Sequence, residues 1–251
     1  MIEQTRRQPD TSQSSVRSDT VRAWDIPTRV FHWSLVLAIV SAWASFRFAE
    51  TIGDPTLQWH RYNGYAILVL LVFRLLWGFV GSSTSRWSAF VTWPWHAAVY
   101  GLDLLRGRDR HYLGHNPLGT YMILALLAVV GAQSFIGLFI VEHNDTTWGP
   151  LYKLASESTQ KLLHNWHIWS FYWILLPVIA MHITANTLYG VVKKDPLIRA
   201  MVTGRKPAGH YEDQQQAEIV AAVWLRALLC LAAALAIVLG GIAALGGKLF
   251  Y

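Results

Sequence analysis

The chain has 251 residues, 53% of them hydrophobic and only 14% charged, with 13 tryptophans and a formal net charge of +6. Soluble domains carry about 25% charged residues, so the composition excludes an ordinary water-soluble fold, and too little chain is left for a separate soluble domain. One cysteine, Cys230, excludes a disulfide framework and a cysteine-held iron–sulfur cluster.

Residues 1–20 are rich in Ser, Thr and Gln and read as a disordered tail. They do not read as a signal peptide, because the apolar run that follows is long enough to span a bilayer. Apolar runs follow at about 31–49, 62–81, 119–141, 168–190 and 221–246, each near the ~20 residues a transmembrane helix needs. The expected fold is all-α: an integral membrane bundle of four helices over 21–206, then a linker and a fifth helix over 207–251. Trp24, Pro27 and Trp33 announce the first span with interface aromatics. Between the second and third spans, Pro94 to Arg106 reads as a helix lying in the interface. The connection 142–163 reads as a loop carrying Glu142, Asp145 and Glu157. In the fifth span, Gly240 and Gly241 permit close helix approach.

Lysine and arginine set the expected orientation. Fourteen fall in the N-terminal segment, the loop after span 2 and the loop after span 4, against five on the opposite side. This places the N-terminus in the cytoplasm and the C-terminus outside. The net charge then reflects topology and attraction to anionic lipid heads, and its division among loops argues against nucleic-acid binding.

Four histidines lie inside or at the lips of these runs: His32, His60, His167 and His182. Ionisable residues in a membrane are expensive and mark functional sites. With the N-terminus inside, His32 and His182 share the inner depth, and His60 and His167 the outer. His167 and His182 are ~22 Å apart along an ideal helix. Two pairs at two depths suit the axial positions of two b-type haems, and the lack of CxxCH rules out covalent c-type attachment. On an ideal helix, positions 15 apart differ by ~60° and positions 18 apart superpose, which favours His164 as the partner of His182. Pro177, however, can accompany a wide turn that absorbs one residue. His164 would also sit ~27 Å from His182, close to the outer surface. His167 is therefore the expected outer ligand and His164 the alternative. Arg61 beside His60, Arg29 one turn before His32, and Arg74 at the inner depth are the cations placed for haem propionates. His96, His111, His115, His143 and His210 read as loop or interfacial residues facing solvent, with His115 near enough to support the inner haem indirectly.

Several stretches together resemble the prokaryotic cytochrome b561 family, related to the cytochrome b subunits of nickel–iron hydrogenases. They are Val21-Arg-Ala-Trp-Asp-Ile-Pro-Thr-Arg-Val-Phe-His-Trp33, Trp59-His-Arg-Tyr-Asn-Gly64, Phe73-Arg-Leu-Leu-Trp-Gly-Phe-Val-Gly-Ser82, Gly114-His-Asn-Pro-Leu-Gly119, His164 to His182, and Ala200-Met-Val-Thr-Gly-Arg-Lys206. The resemblance implies a four-helix core with two b haems, one ligand from each of spans 1 and 2 and two from span 4. These fall on His32, His60, His182 and the histidine at the start of span 4. The family spaces that last pair by fourteen residues, whereas here the spacing is fifteen or eighteen.

The resemblance further implies a protein of the bacterial inner membrane exchanging electrons between the quinone pool and a redox protein such as a periplasmic c-type cytochrome. The acidic outer connection suits a basic or haem-bearing partner. Two alternatives are a self-contained quinone-linked oxidoreductase acting on a small species such as superoxide, and the membrane anchor of a hydrogenase-like complex. A transporter relaying protons through its histidines is a further class, and it would bind no pigment.

Overall fold

The computed structural model describes residues 19–108, 110–142 and 147–250. Most of the expected tail, His143 and Asp145 lie outside the described residues. Among the described residues, five helices are long and apolar enough to cross a membrane: Ile26–Arg47, Gln58–Val80, Pro117–Ile136, Glu157–Val192 and Val223–Ala244. They are called spans 1 to 5. The protein is an all-α, multi-pass membrane protein.

The span starts are written in the sequence. Asp25 caps span 1 by accepting the Thr28 N–H at 2.8 Å, with Pro27 in the first turn. Asp54 accepts the first two N–H groups of span 2, Gln58 and Trp59, at 2.9 Å each. Asn116 caps span 3 through Gly119 N at 2.7 Å, again followed by proline. Span 4 starts well before its apolar run. Ser156 caps it and Glu157 occupies its first turn, where a carboxylate complements the helix dipole. Residues 157–163, expected in a loop, are thus helical.

Spans 1 and 2 are joined by a short turn, and span 5 packs on the back of span 2. Phe31, Phe73 and Trp77 meet Ala227, Cys230 and Ala234 there. Ala38, Ile67, Leu71, Val130 and Leu175 close the interior between spans 1 to 4. On the outside, Leu37, Phe79 and Trp173 are 68%, 74% and 70% exposed. Such large apolar groups face lipid, so little of the bundle's stability comes from its perimeter.

Span 4 is not a uniform helix. Phe171–Leu175 forms a π-helical turn ending just before Pro177. The fifth span holds a second such turn, Ala236–Gly240.

A cap closes the N-terminal end of the bundle. Strand β1 (Thr20–Arg22) pairs antiparallel with strand β2 (Arg205–Pro207), with Val21 opposite Lys206. The short helix Leu197–Thr203 ends at Gly204, whose φ of 79° suits glycine and turns its carbonyl onto Ala23 N (2.8 Å) and Trp24 N (3.2 Å). Lys206 is buried, with Nζ 2.9 Å from Asp195 Oδ1 and 2.9 Å from the Tyr112 carbonyl. Burial pulls its ammonium below the usual lysine range, while Asp195 acts in the other direction. The helix Pro94–Leu105 lies across this end. It buries Ala97, Tyr100 and Asp103 and turns Trp95, Val99, Leu102 and Leu105 outward, the single apolar face expected of an interfacial helix.

Candidate functional site

The far end of the bundle, opposite this cap, encloses a cavity of about 350 Å³ between spans 1 to 4. His60 enters it from the first turn of span 2 and His167 from span 4. Their ring centroids are 6.2 Å apart, with the planes 84° from parallel. His60 Nδ1 lies 2.8 Å from the Ala42 carbonyl, which fixes the ring and leaves Nε2 as its free nitrogen. A carbonyl partner on one nitrogen is how metal-binding histidines are oriented. His167 Nδ1 is buried without a hydrogen-bond partner.

The π-turn sets this pairing. A π-turn takes one more residue than an α-turn, offsetting the ~60° mismatch between positions 15 apart. Gln133 of span 3 secures the turn's approach, donating to the His167 carbonyl at 2.8 Å and accepting from Ser170 Oγ at 2.7 Å. Gly64, one turn beyond His60, lines the same cavity with open space where a Cβ would go.

His164 is also on the cavity wall, beside Glu142, with Nδ1 3.6 Å from Glu142 Oε2. Arg61 lines the cavity and donates to the Trp148 carbonyl at 3.3 Å. Glu142 therefore faces inward, and Glu157 is held at 2.7 Å by Lys161. Glu157 stays exposed on the surface, as the sequence led us to expect of an acidic outer group, while Glu142 does not.

At the capped end, His32 and His182 lie within coulombic reach of each other. His32 Nδ1 is buried without a partner. Asn186 Nδ2 approaches His182 Nδ1 at 3.3 Å and donates to its carbonyl at 2.7 Å. Arg29 packs over Gly204 with its Nε unpartnered. Arg74, 3% exposed, lies 4.3 Å over the Trp87 ring, and its Nη1 has no partner.

His115 corrects the solvent-facing expectation. Asp213 accepts Leu113 N at 2.7 Å and Gly114 N at 2.8 Å, turning this segment inward. The His115 ring is thereby set 4.7 Å from both Trp24 and Phe90. His96 and His210 are exposed as expected. The four histidines of the sequence pattern thus collect at two ends of one four-helix interior. Gln133 is the group added by the structure, while Glu142 and His115, read from the sequence as loop residues, join the two sites.

The model of the family described as "Prokaryotic cytochrome b561" matches residues 23–204. Among its relatives, a probable Ni/Fe-hydrogenase B-type cytochrome subunit of Azotobacter vinelandii is 26% identical over 223 residues, covering 76% of this chain and 91% of the relative. Proteins of the same description from Rhizobium leguminosarum bv. viciae and Rhodobacter capsulatus are 20% and 24% identical, covering 80% and 77% of this chain and 95% and 84% of their own. The matched segment contains spans 1 to 4 and every histidine of the two pairs, and the chain belongs to the prokaryotic cytochrome b561 family, membrane proteins that carry electrons on b-type haem.

Proposed function

We propose that this chain passes electrons across the membrane through two b-type haems, between the quinone pool and a redox protein on the far side. The observation that carries the reading is the His60–His167 pair. Two imidazoles, with ring centroids 6.2 Å apart, line one cavity inside the bundle, and would hold one iron between them. Haem, when bound, supplies a one-electron iron couple.

The residues present fit that group. His32 Nδ1, His167 Nδ1, Arg29 Nε and Arg74 Nη1 are buried polar atoms without partners, which a folded protein seldom tolerates. His60 and His167 would hold the outer haem, and His32 and His182 the inner. Arg61 at one end, and Arg29 and Arg74 at the other, would meet the propionates. The di-haem unit is residues 21–206, and 207–251 adds a linker and the fifth span. The lysine and arginine distribution supports a cytoplasmic N-terminus, a periplasmic C-terminus and insertion in the bacterial inner membrane.

The partner on the periplasmic face is a redox protein such as a c-type cytochrome. The names of the relatives support a second reading, in which this chain anchors a hydrogenase-like catalytic subunit and accepts its electrons. Superoxide as a direct reactant is disfavoured by Glu142, which places a carboxylate on the outer cavity wall, where it repels an anion.

A dithionite-reduced minus oxidised spectrum, with haem quantified per chain, tests the proposal. Two haems with a b-type band support it. One haem would remove the inner or the outer site, and none would favour the proton-relay transporter.

A further inference from the structure

Beside the His32–His182 pair, two nitrogen atoms from distant parts of the chain are buried without partners: Nη1 of Arg74 in span 2 and Nδ1 of His115 before span 3. They share a wall. Phe90 lies 4.7 Å from the His115 ring and 5.7 Å from the Arg74 guanidinium carbon. Trp24 closes the other side of His115 at 4.7 Å, and Trp87 stacks on Arg74 at 4.3 Å. Both His32 and His182 are within coulombic reach of His115.

This corner is rigid. Asp213 holds the backbone just before His115, and the Asn116 cap holds it just after. Thr120 Oγ1 fixes the Phe90 carbonyl at 2.9 Å. The nearby carboxylates are already engaged. Asp25 accepts from Thr28 N, Trp77 Nε1 and Ser85 Oγ, Asp195 from Lys206, and Asp213 from two backbone amides. Among the described residues, no carboxylate forms an ion pair with Arg74. A buried guanidinium in that position is costly until an anion reaches it.

His115 supplies a different donor. Burial first, then the positive charges of Arg74 and Lys206, press its imidazole down to about 3. Its Nδ1, buried and unpartnered, is the atom placed to donate to a ligand.

We propose that Arg74 and His115 together grip one propionate carboxylate of the inner haem, the guanidinium giving charge and the imidazole a hydrogen bond. This inference rests on the reading of His32 and His182 as that haem's ligands. A carboxylate at this point satisfies both unpartnered nitrogens at once, and it is planar, as a guanidinium's paired donors require.

Potentiometric titration of the purified full chain tests the grip, the inner haem being the component missing from His182→Ala. Arg74→Gln lowers the inner midpoint potential, because a nearby cation favours the more electron-rich reduced form. His115→Leu lowers it less. The double variant shifts by less than the sum of the two, since both groups hold one carboxylate. His115→Asn, which keeps an N–H donor, returns the potential towards wild type. Unchanged or strictly additive shifts overturn the inference. So do unchanged potentials accompanied by a raised KM for quinol, which would assign the corner to a quinone head group. Where His115→Leu loses the inner haem, retention in His115→Asn supports the grip and loss there counts against it. Wild-type protein without an inner haem refutes the underlying reading instead, and haem per chain separates the two failures.

Discussion

His164 Nδ1 stands 3.6 Å from Glu142 Oε2, three residues before His167 in the same helix. The imidazole that ideal-helix geometry favours as partner to His182 thus lies beside a carboxylate, while the one that geometry disfavours faces His60. His164→Ala should therefore retain two haems per chain, and His167→Ala should retain one. Pyridine haemochrome quantification on purified protein decides this. The opposite pattern would move the outer ligand to His164.

Glu142 lies on the wall of the cavity that His60 and His167 enter. A negative charge there favours the oxidised haem, so Glu142→Gln should raise the outer midpoint potential and leave the inner one nearly unchanged. A unit charge about 10 Å away, at an effective dielectric of about 20, is worth ~1.7 kcal/mol, roughly 70 mV for one electron. A redox titration resolving two components measures the shift.

The π-turn can be tested by deletion. Removing Tyr172 returns Phe171–Leu175 to ordinary helical register and turns His167 by ~100° relative to His182. Haem content should fall from two per chain to one, with the helical circular dichroism retained. Full occupancy after the deletion would mean that the turn does not set the pairing.

The buried Lys206–Asp195 pair predicts a stability effect confined to the cap. Lys206→Met leaves Asp195 buried without its counter-charge and should cost about 3–5 kcal/mol. Lys206→Met combined with Asp195→Leu should recover most of the loss, because no charge is then stranded. Denaturation of both variants in detergent, followed by tryptophan fluorescence, compares them.

The spans were legible because a bilayer imposes length and hydropathy on each segment independently of its neighbours. The early start of span 4 was hidden for the same reason. Glu157 to Asn165 is too polar for an apolar run, and only the Ser156 cap marks the helix. Pro177 hinted at a wide turn, but its place at Phe171–Leu175 needed the structure. The inward turn of His115 was invisible, since it depends on Asp213, 100 residues beyond Leu113. The β1–β2 ribbon was missed too, as three-residue strands are too short to show an alternating pattern.

That ribbon has a consequence for the order of biogenesis. Arg205 reaches Thr20 across 185 residues, so the latch cannot close until four spans have left the ribosome and entered the bilayer. Until then the end of the bundle bearing His32 and His182 remains open. The chain thus has a built-in interval during synthesis in which that end can admit a large planar group, before the last paired strand shuts the door behind it.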